Sequence, residues 1–439
     1  MKVNFPFPSS FVIMKNLLNF FIEVGKLKGK KRRGIMFYGV KDAETTAEHT
    51  FRMAMVGWIL GKMKNLNIEK VIKMVLVHDL CEVYVGDITP YDGLLPKNKK
   101  ERYNFVRKWP HLSEKVKKKR YLQKLEKEKK SLEKLVKNLP AKIKKEILEV
   151  WWDYEMGNSK EGRFVRQIDR TENLIEAFDC WKEDKNFPTK PWWQHADEVI
   201  DDPLISKFLR EIEIEELRNK KTKRDPLMEN LLIFFSKVGK LKVILRQGWV
   251  INRIKNPESI AEHIFRAAIM GWILGEKKGK LNIERILKIA LIHDLCEIYA
   301  GDTTPYDSIL PKNEKKLKEL MKTWPRFSNL KKKKLTKEKF KKESRALEKL
   351  ISKLPPDFKK EIMNLWLDYE NGLTPEGRFF KQADRIENFL QALEYWKKYR
   401  KPPQKPWWLW AREFFDDPLL LEFIEEMDAK FHKKIKPRI

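Results

Sequence analysis

The sequence predicts an all-α fold in which one helical domain is used twice in tandem. Three observations carry this reading. Met14-Lys-Asn-Leu-Leu and Val24-Gly-Lys-Leu-Lys recur as Met228-Glu-Asn-Leu-Leu and Val238-Gly-Lys-Leu-Lys, an offset of 228 − 14 = 214. Apolar residues at 286, 287, 290, 291 and 298 follow the spacing of one helix face, predicting a helix over 284–299. Glycine is scarce, 18 among 439 residues, and alternating strand patterns are few.

Each copy unfolds in the same order. An apolar stretch at 11–22 returns at 227–238, where no signal peptide could act, so both are core helices. Ala47-Glu-His-Thr-Phe-Arg then matches Ala261-Glu-His-Ile-Phe-Arg. One residue is inserted near Gly279, and the offset becomes 293 − 78 = 215 as His78-Asp-Leu-Cys-Glu meets His293-Asp-Leu-Cys-Glu. Gly86-Asp-Ile-Thr-Pro-Tyr-Asp and Gly301-Asp-Thr-Thr-Pro-Tyr-Asp read as a helix end and tight turn. Residues 121–137 and 338–352 predict long amphipathic helices with Glu/Lys pairs three and four apart. Asp153-Tyr-Glu, Gln167-Ile-Asp-Arg, Pro191-Trp-Trp and Asp201-Asp-Pro-Leu all return 215 residues later. A period this long marks a duplicated domain rather than a solenoid. The copies span 12–218 and 227–431, joined by a polar, basic, proline-closed linker at 219–226. About six helices plus short extras are expected in each.

Composition narrows the function class. Hydrophobic residues make up 42% and aromatics 12%, which is globular. Three cysteines cannot staple a chain this long and point to a reducing, cytoplasmic setting. No apolar stretch approaches the roughly 20 residues of a spanning helix, so no membrane partner is expected. The net charge of +30 would attract anions, whether nucleotide or nucleic acid. The lysine runs at 114–134 and 331–342 read first as solvated helix faces.

Only seven histidines are present, and four form two repeat-matched pairs, His49/His263 and His78/His293. Both positions lie beside carboxylates. Adjacent His78 and Asp79 can reach one ion only near a helix end or with splayed rotamers. Glu82 sits one turn on, on the same face. Imidazole with carboxylate suits one divalent transition metal per domain: Mn, Co, Ni, Fe or Zn. His49, His78, Asp79 and Asp169 would make one four-ligand site; His263, His293, Asp294 and Asp384 would make the other. Such a set leaves positions open for water and substrate. A lone His-Asp dipeptide on an apolar helix is usually a core pair, but the whole order occurring twice argues for metal. Cys81 and Cys296 read as small buried residues. The Trp-Trp pairs read as packing rather than base-stacking.

These motifs resemble the HD-domain superfamily, and more narrowly its 5′-deoxynucleotidase-like branch. The resemblance rests on Ala261-Glu-His, Leu291-Ile-His-Asp-Leu-Cys-Glu, Gly301-Asp-Thr-Thr-Pro, Trp366 with Tyr369-Glu370, Phe379-Phe-Lys-Gln-Ala-Asp, and Arg246-Gln-Gly-Trp ahead of Asn256-Pro-Glu-Ser. It implies removal of phosphate from 2′-deoxyribonucleoside 5′-monophosphates. Glu82 and Glu297 would then be general acid or base. Asp87, Thr89, Asp302 and Thr304 would line the substrate mouth. Arg32 and Arg246 would clamp phosphate, and Trp249 would stack on base or sugar. The first copy has Ile35 where the second has Trp249, and Gly39 for Arg253, so the second copy is expected to be the stronger nucleotidase. The tandem fusion and the long lysine-rich stretch at 99–124 depart from the small family members. The fused copies are expected to pair as an internal pseudo-dimer.

Other readings stay open: an HD phosphohydrolase acting on ppGpp, a dNTP, a cyclic nucleotide or a metabolite phosphate; a basic nucleic-acid-binding protein; or a scaffold with structural metal.

Overall fold

The computed structural model describes residues 9–89, 92–108, 112–217, 222–303, 309–311, 313, 316–317, 319–320, 327–400 and 414–432. Among these the regular structure is helical, and the only extended pairings are two isolated bridges, Lys31 with Thr45 and Leu245 with Ser259. The first copy contains α1 (Ser9–Val24), α2 (Arg33–Met36), α3 (Thr46–Met63), α4 (Ile68–Val77), α5 (Glu82–Val85), α6 (Lys99–Lys108), α7 (Glu114–Val136), α8 (Ala141–Met156), α9 (Lys160–Glu183), α10 (Lys190–Asp197) and α11 (Pro203–Glu216). The second contains α12 (Pro226–Gly239), α13 (Gln247–Ile251), α14 (Ile260–Lys278), α15 (Ile283–Ile292), α16 (Glu297–Ala300), α17 (Asn329–Ile351), α18 (Pro356–Asn371), α19 (Pro375–Tyr399) and α20 (Pro418–His432). Asp225 accepts from the Leu227 and Met228 amides and Pro226 opens α12, so the end of the expected linker is a helix cap. Residues 219–221 of that linker lie outside the described residues.

The repeated motifs fall where the fold needs fixed starts. Thr45 and Ser259 close capping boxes with Glu48 and Glu262, which sets the first turn of α3 and α14 and thereby His49 and His263. Every residue of α3 from Thr46 to Gly61 is buried, as expected of a helix covered on all sides. Trp58 and Trp272, on α3 and α14, are fully buried. Truncating either to alanine should cost about 3–5 kcal/mol. Gln167 donates to Asp201 and accepts from the Asp201 and Asp202 amides, and Gln382 repeats this with Asp416 and Asp417. The Gln-x-Asp-Arg and Asp-Asp-Pro motifs are therefore partners that dock α11 on α9 and α20 on α19.

Contacts also run between the copies. Phe21 of α1 meets Phe423 of α20 with ring centroids 5.8 Å apart, and Phe208 of α11 meets Phe235 of α12 at 5.7 Å. Lys73 lies over the Trp272 ring at 5.2 Å and Lys288 over Trp58 at 5.4 Å. One apolar cluster includes residues of both copies.

Two expectations are corrected. The helix expected over 284–299 is interrupted: α15 ends at Ile292, and α16 begins at Glu297. In between, Leu295 and Glu297 donate to carbonyls three residues back, a tighter winding than an α-helix. The long helices begin earlier than expected, at Glu114 and Asn329.

Candidate metal centres

The break after α4 and α15 is what lets adjacent His and Asp face one point. His78 and His293 are the residues closing those helices, and each Nδ1 donates backward, to Val75 O at 2.6 Å and Ala290 O at 2.8 Å. That fixes the tautomer with Nε2 free and aimed inward. His49 arrives from the first turn of α3. Its Nδ1 hydrogen-bonds Glu172, and His263 repeats this with Glu387. The Nε2 atoms of His49 and His78 are buried and make no hydrogen bond. In the second copy His263 Nε2 and His293 Nε2 lie 3.4 Å apart.

The carboxylates close the ring. Asp169 Oδ1 is 3.3 Å from His49 Nε2, and Asp79 Oδ2 is 3.1 Å from His78 Nε2. In the second copy Asp384 Oδ1 is 2.9 Å from His263 Nε2, and Asp294 Oδ2 is 3.4 Å from His293 Nε2. His49, His78 and Asp169 offer ligand atoms within one ion's reach of each other, as do His263, His293 and Asp294. The converging imidazole nitrogens beside carboxylates, unpartnered in the first copy, fit a divalent ion. Burial opposes ionisation of Asp169, yet Arg170 and His49 hold its carboxyl well below the usual range. Asp384 is held down likewise, chiefly by His263. Burial and Arg32 disfavour a proton on His49, but Glu172 and Asp169 prevail and raise it to about 9; His263 is raised to about 9 by Glu387 and Asp384.

The two glutamates sit deeper than an exposed helix face. Glu82 and Glu297 are buried, and burial next to Asp79 and Asp87, or Asp294 and Asp302, pushes their carboxyls well up. Thr46 donates to Glu82 Oε2 at 2.7 Å. The matching residue is Ile260, and Glu297 Oε2 is buried without a partner.

Arg32 bridges Asp79 at 2.7 Å and Asn173 at 3.0 Å; Arg246 bridges Asp294 at 2.8 Å and Asn388 at 2.6 Å. Both guanidiniums thus lie at the site, already engaged with its carboxylates. Asp87 accepts from the Arg33 amide and Asp302 from the Gln247 amide, each at 2.7 Å, so one oxygen of each caps the short helix α2 or α13. Thr89 donates to Asp92 at 2.8 Å and ties the turn. Thr304 lies outside the described residues.

Trp249 departs from expectation. It is 5% exposed, its indole N–H donates to Glu258 at 2.9 Å, and its ring meets Tyr395 edge-on at 5.2 Å. A side chain so enclosed packs α13 onto α19 and cannot stack on a nucleobase. The difference between copies at this position is therefore one of packing. Trp192 likewise packs against Tyr38 within the first copy. Cys81 and Cys296 are buried, with burial pushing both thiols well up.

Several further residues at the site had been given no role by sequence. Tyr154 and Tyr369 donate to Asp169 and Asp384 at 3.1 and 2.9 Å. Glu172 accepts from Arg52 Nε at 2.7 Å, and Glu387 from Arg266 Nε at 2.8 Å. Lys124 and Lys339 lie in the fields of Asp79 and Asp294 and pair with Glu128 and Glu343. A signal existed: all recur at the repeat offset, and Glu172 and Arg52 stand three residues after Asp169 and His49.

Comparison with known proteins finds the same duplication in the sequence. The model of one HD-domain family matches twice, over residues 24–195 and 238–406. The human protein named 5′-deoxynucleotidase HDDC2 is 32% identical over 46% of this chain and 86% of its own length. The Xenopus laevis protein of the same name is 34% identical over 40% of this chain and 73% of its own. A solved structure of a conserved hypothetical protein from Pyrococcus furiosus is 26% identical, covering 46% of this chain and 99% of that one at a TM-score of 0.33. The chain belongs to the HD-domain family and carries the family's domain twice.

Proposed function

We propose that the chain is a metal-dependent phosphohydrolase that removes phosphate from 2′-deoxyribonucleoside 5′-monophosphates, with one metal centre in each copy. The observation that carries the reading is the pair of buried, unpartnered imidazole nitrogens of His49 and His78 beside Asp79 and Asp169, with the matching nitrogens of His263 and His293 converging beside Asp384 and Asp294. The relatives named 5′-deoxynucleotidases supply the substrate class.

His49, His78, Asp79 and Asp169 would hold the ion in the first copy, and His263, His293, Asp294 and Asp384 in the second. When bound, a divalent ion of the Mn, Co, Ni, Fe or Zn type supplies Lewis-acid charge to the phosphoryl oxygens and activates water at neutral pH. The chain's own groups do the rest. Arg32 and Arg246 place guanidinium charge beside the ligands, and Lys124 and Lys339 extend it. These cations favour a phosphate dianion entering over the carboxylates. Burial and the neighbouring aspartates push the carboxyls of Glu82 and Glu297 well up and favour their protonated form. A carboxylic acid in that state donates to the departing 5′-oxygen of the sugar as the phosphoryl group leaves it. Asp87 and Asp302 keep one oxygen for the helix cap and can offer the other to the sugar.

The two copies act as a built-in pair, in place of two separate chains. Contacts across the copies at Phe21–Phe423 and Phe208–Phe235 support this.

The test is phosphate release from a panel of dNMPs, NMPs, dNTPs and ppGpp with Mn, Co, Ni, Zn or Mg. Release concentrated on the dNMPs supports the reading. No release from any dNMP with any metal would end it.

A further inference from the structure

The Val-Gly-Lys-Leu-Lys segment after the first helix of each copy is repeated, yet it lies outside the site its own copy forms. Its contacts explain the repetition. Lys242, in the second copy, reaches Glu172 at 2.8 Å and Glu176 at 2.9 Å in the first, and also pairs with Glu44. Glu172 is the group bonded to His49 Nδ1. Reciprocally, Lys28 of the first copy pairs with Glu258 and Glu387 of the second and reaches Gln391 at 2.9 Å. Glu387 is the group bonded to His263 Nδ1.

The glycines obey the same cross-copy logic. A Cβ on Gly239 would stand 2.5 Å from Arg52 Nη1, and one on Gly25 would overlap Arg266 Nη1. Arg52 and Arg266 are the other cations holding Glu172 and Glu387. Both lysines and both arginines are buried. A buried ammonium with three acceptors all in the other copy is costly unless those partners are present.

We infer that each copy positions the other's metal centre: Lys242 and Gly239 fix Glu172 and Arg52 behind His49, while Lys28 and Gly25 fix Glu387 and Arg266 behind His263. This rests on reading the two clusters as metal centres. Lys28 and Lys242 are positioning residues. They touch no metal-ligand atom and act through the glutamate that orients the imidazole and sets its basicity. Neither centre is complete within one copy.

The probe is Co²⁺ alone, titrated into metal-stripped full-length chain and followed by its visible absorption. In a His263→Ala background the remaining signal reports the first copy. There, Lys242→Met should weaken Co²⁺ binding about 10–100-fold, the usual effect of removing such an outer partner. Lys242→Gln, which keeps a polar group in the pocket, should show the same loss. Lys242→Arg should restore most of the affinity. In a His49→Ala background the same Lys242 variants should leave Co²⁺ binding by the second copy within about threefold of its parent, and Lys28→Met should weaken it. Circular dichroism confirms folding of each protein. Unchanged affinity at the first copy in folded Lys242→Met and Lys242→Gln chains overturns the inference, as does equal weakening of both copies. No nucleotide enters the experiment, so a chain that binds Co²⁺ as described but releases no phosphate from dNMPs refutes the proposed function alone. A chain binding no Co²⁺ at either copy overturns both.

Discussion

Gly25→Ala reverses an ordinary expectation. Neither Gly25 nor Gly29 has a positive φ, and both belong to the short 3₁₀ turn Gly25–Gly29. By backbone entropy alone, alanine at either position should stabilise by about 0.4–1 kcal/mol. At Gly29 nothing lies within 4 Å of a built Cβ, so that gain should be realised. At Gly25 the new methyl overlaps Arg266 Nη1, the atom that donates to Glu394 at 2.7 Å, and Glu394 Oε1 itself is 3.4 Å away. Arg266 cannot yield without leaving that carboxylate. A charge-assisted hydrogen bond is worth about 1.5–3 kcal/mol, and weakening the 2.8 Å bond from Arg266 to Gln391 as the guanidinium shifts adds about 1. After the entropic gain is subtracted, Gly25→Ala should destabilise by about 1.5–3.5 kcal/mol, read from the midpoint of urea unfolding. Gly29→Ala in the same assay is the control. If the two variants unfold at the same urea concentration, the close approach of the first copy's turn to the second copy's arginine is wrong.

Other consequences concern the sites themselves. His78→Ala and His293→Ala should each lower bound metal from two equivalents to one by elemental analysis, and each should abolish only its own copy's share of turnover. Glu82→Gln and Glu297→Gln should retain metal while kcat of the affected copy falls about 10²–10⁴-fold, as removal of a general acid does. Metal must displace the proton that His49 and His263 hold up to about pH 9. Affinity should therefore rise from pH 6 toward pH 9 with proton release on binding, measurable by calorimetry in two buffers. Thr46→Val removes a hydrogen bond that favours the charged form of Glu82. The acid's falling limb in the pH profile of a His293→Ala chain should then move to higher pH.

The metal residues were legible because each combines a chemical type with a fixed local offset, and the duplication repeats both. His49, His78, Asp79 and Asp169 needed no tertiary knowledge beyond their order. The break at His78 was hidden, because apolar residues continue through Leu80 and Cys81 and preserve helical spacing across it. Trp249 was misread for a different reason. Its partners Glu258 and Tyr395 decide whether the indole is enclosed, and Tyr395 lies on a helix more than a hundred residues away. Lys28 and Lys242 look like solvated lysines beside a helix end; only the approach of the other copy makes them buried. Long-range burial of charge carries no local pattern, which is why the roles of Lys28 and Lys242 emerged from the structure alone.

Two working metal centres in one chain would set the stoichiometry of activation. Phosphate release from a dNMP, measured as Co²⁺ equivalents are added to metal-stripped protein, tests it most directly. Two centres predict activity that rises until two equivalents are bound per chain. A plateau at one equivalent, or no phosphate released at any loading, would rule out two working centres.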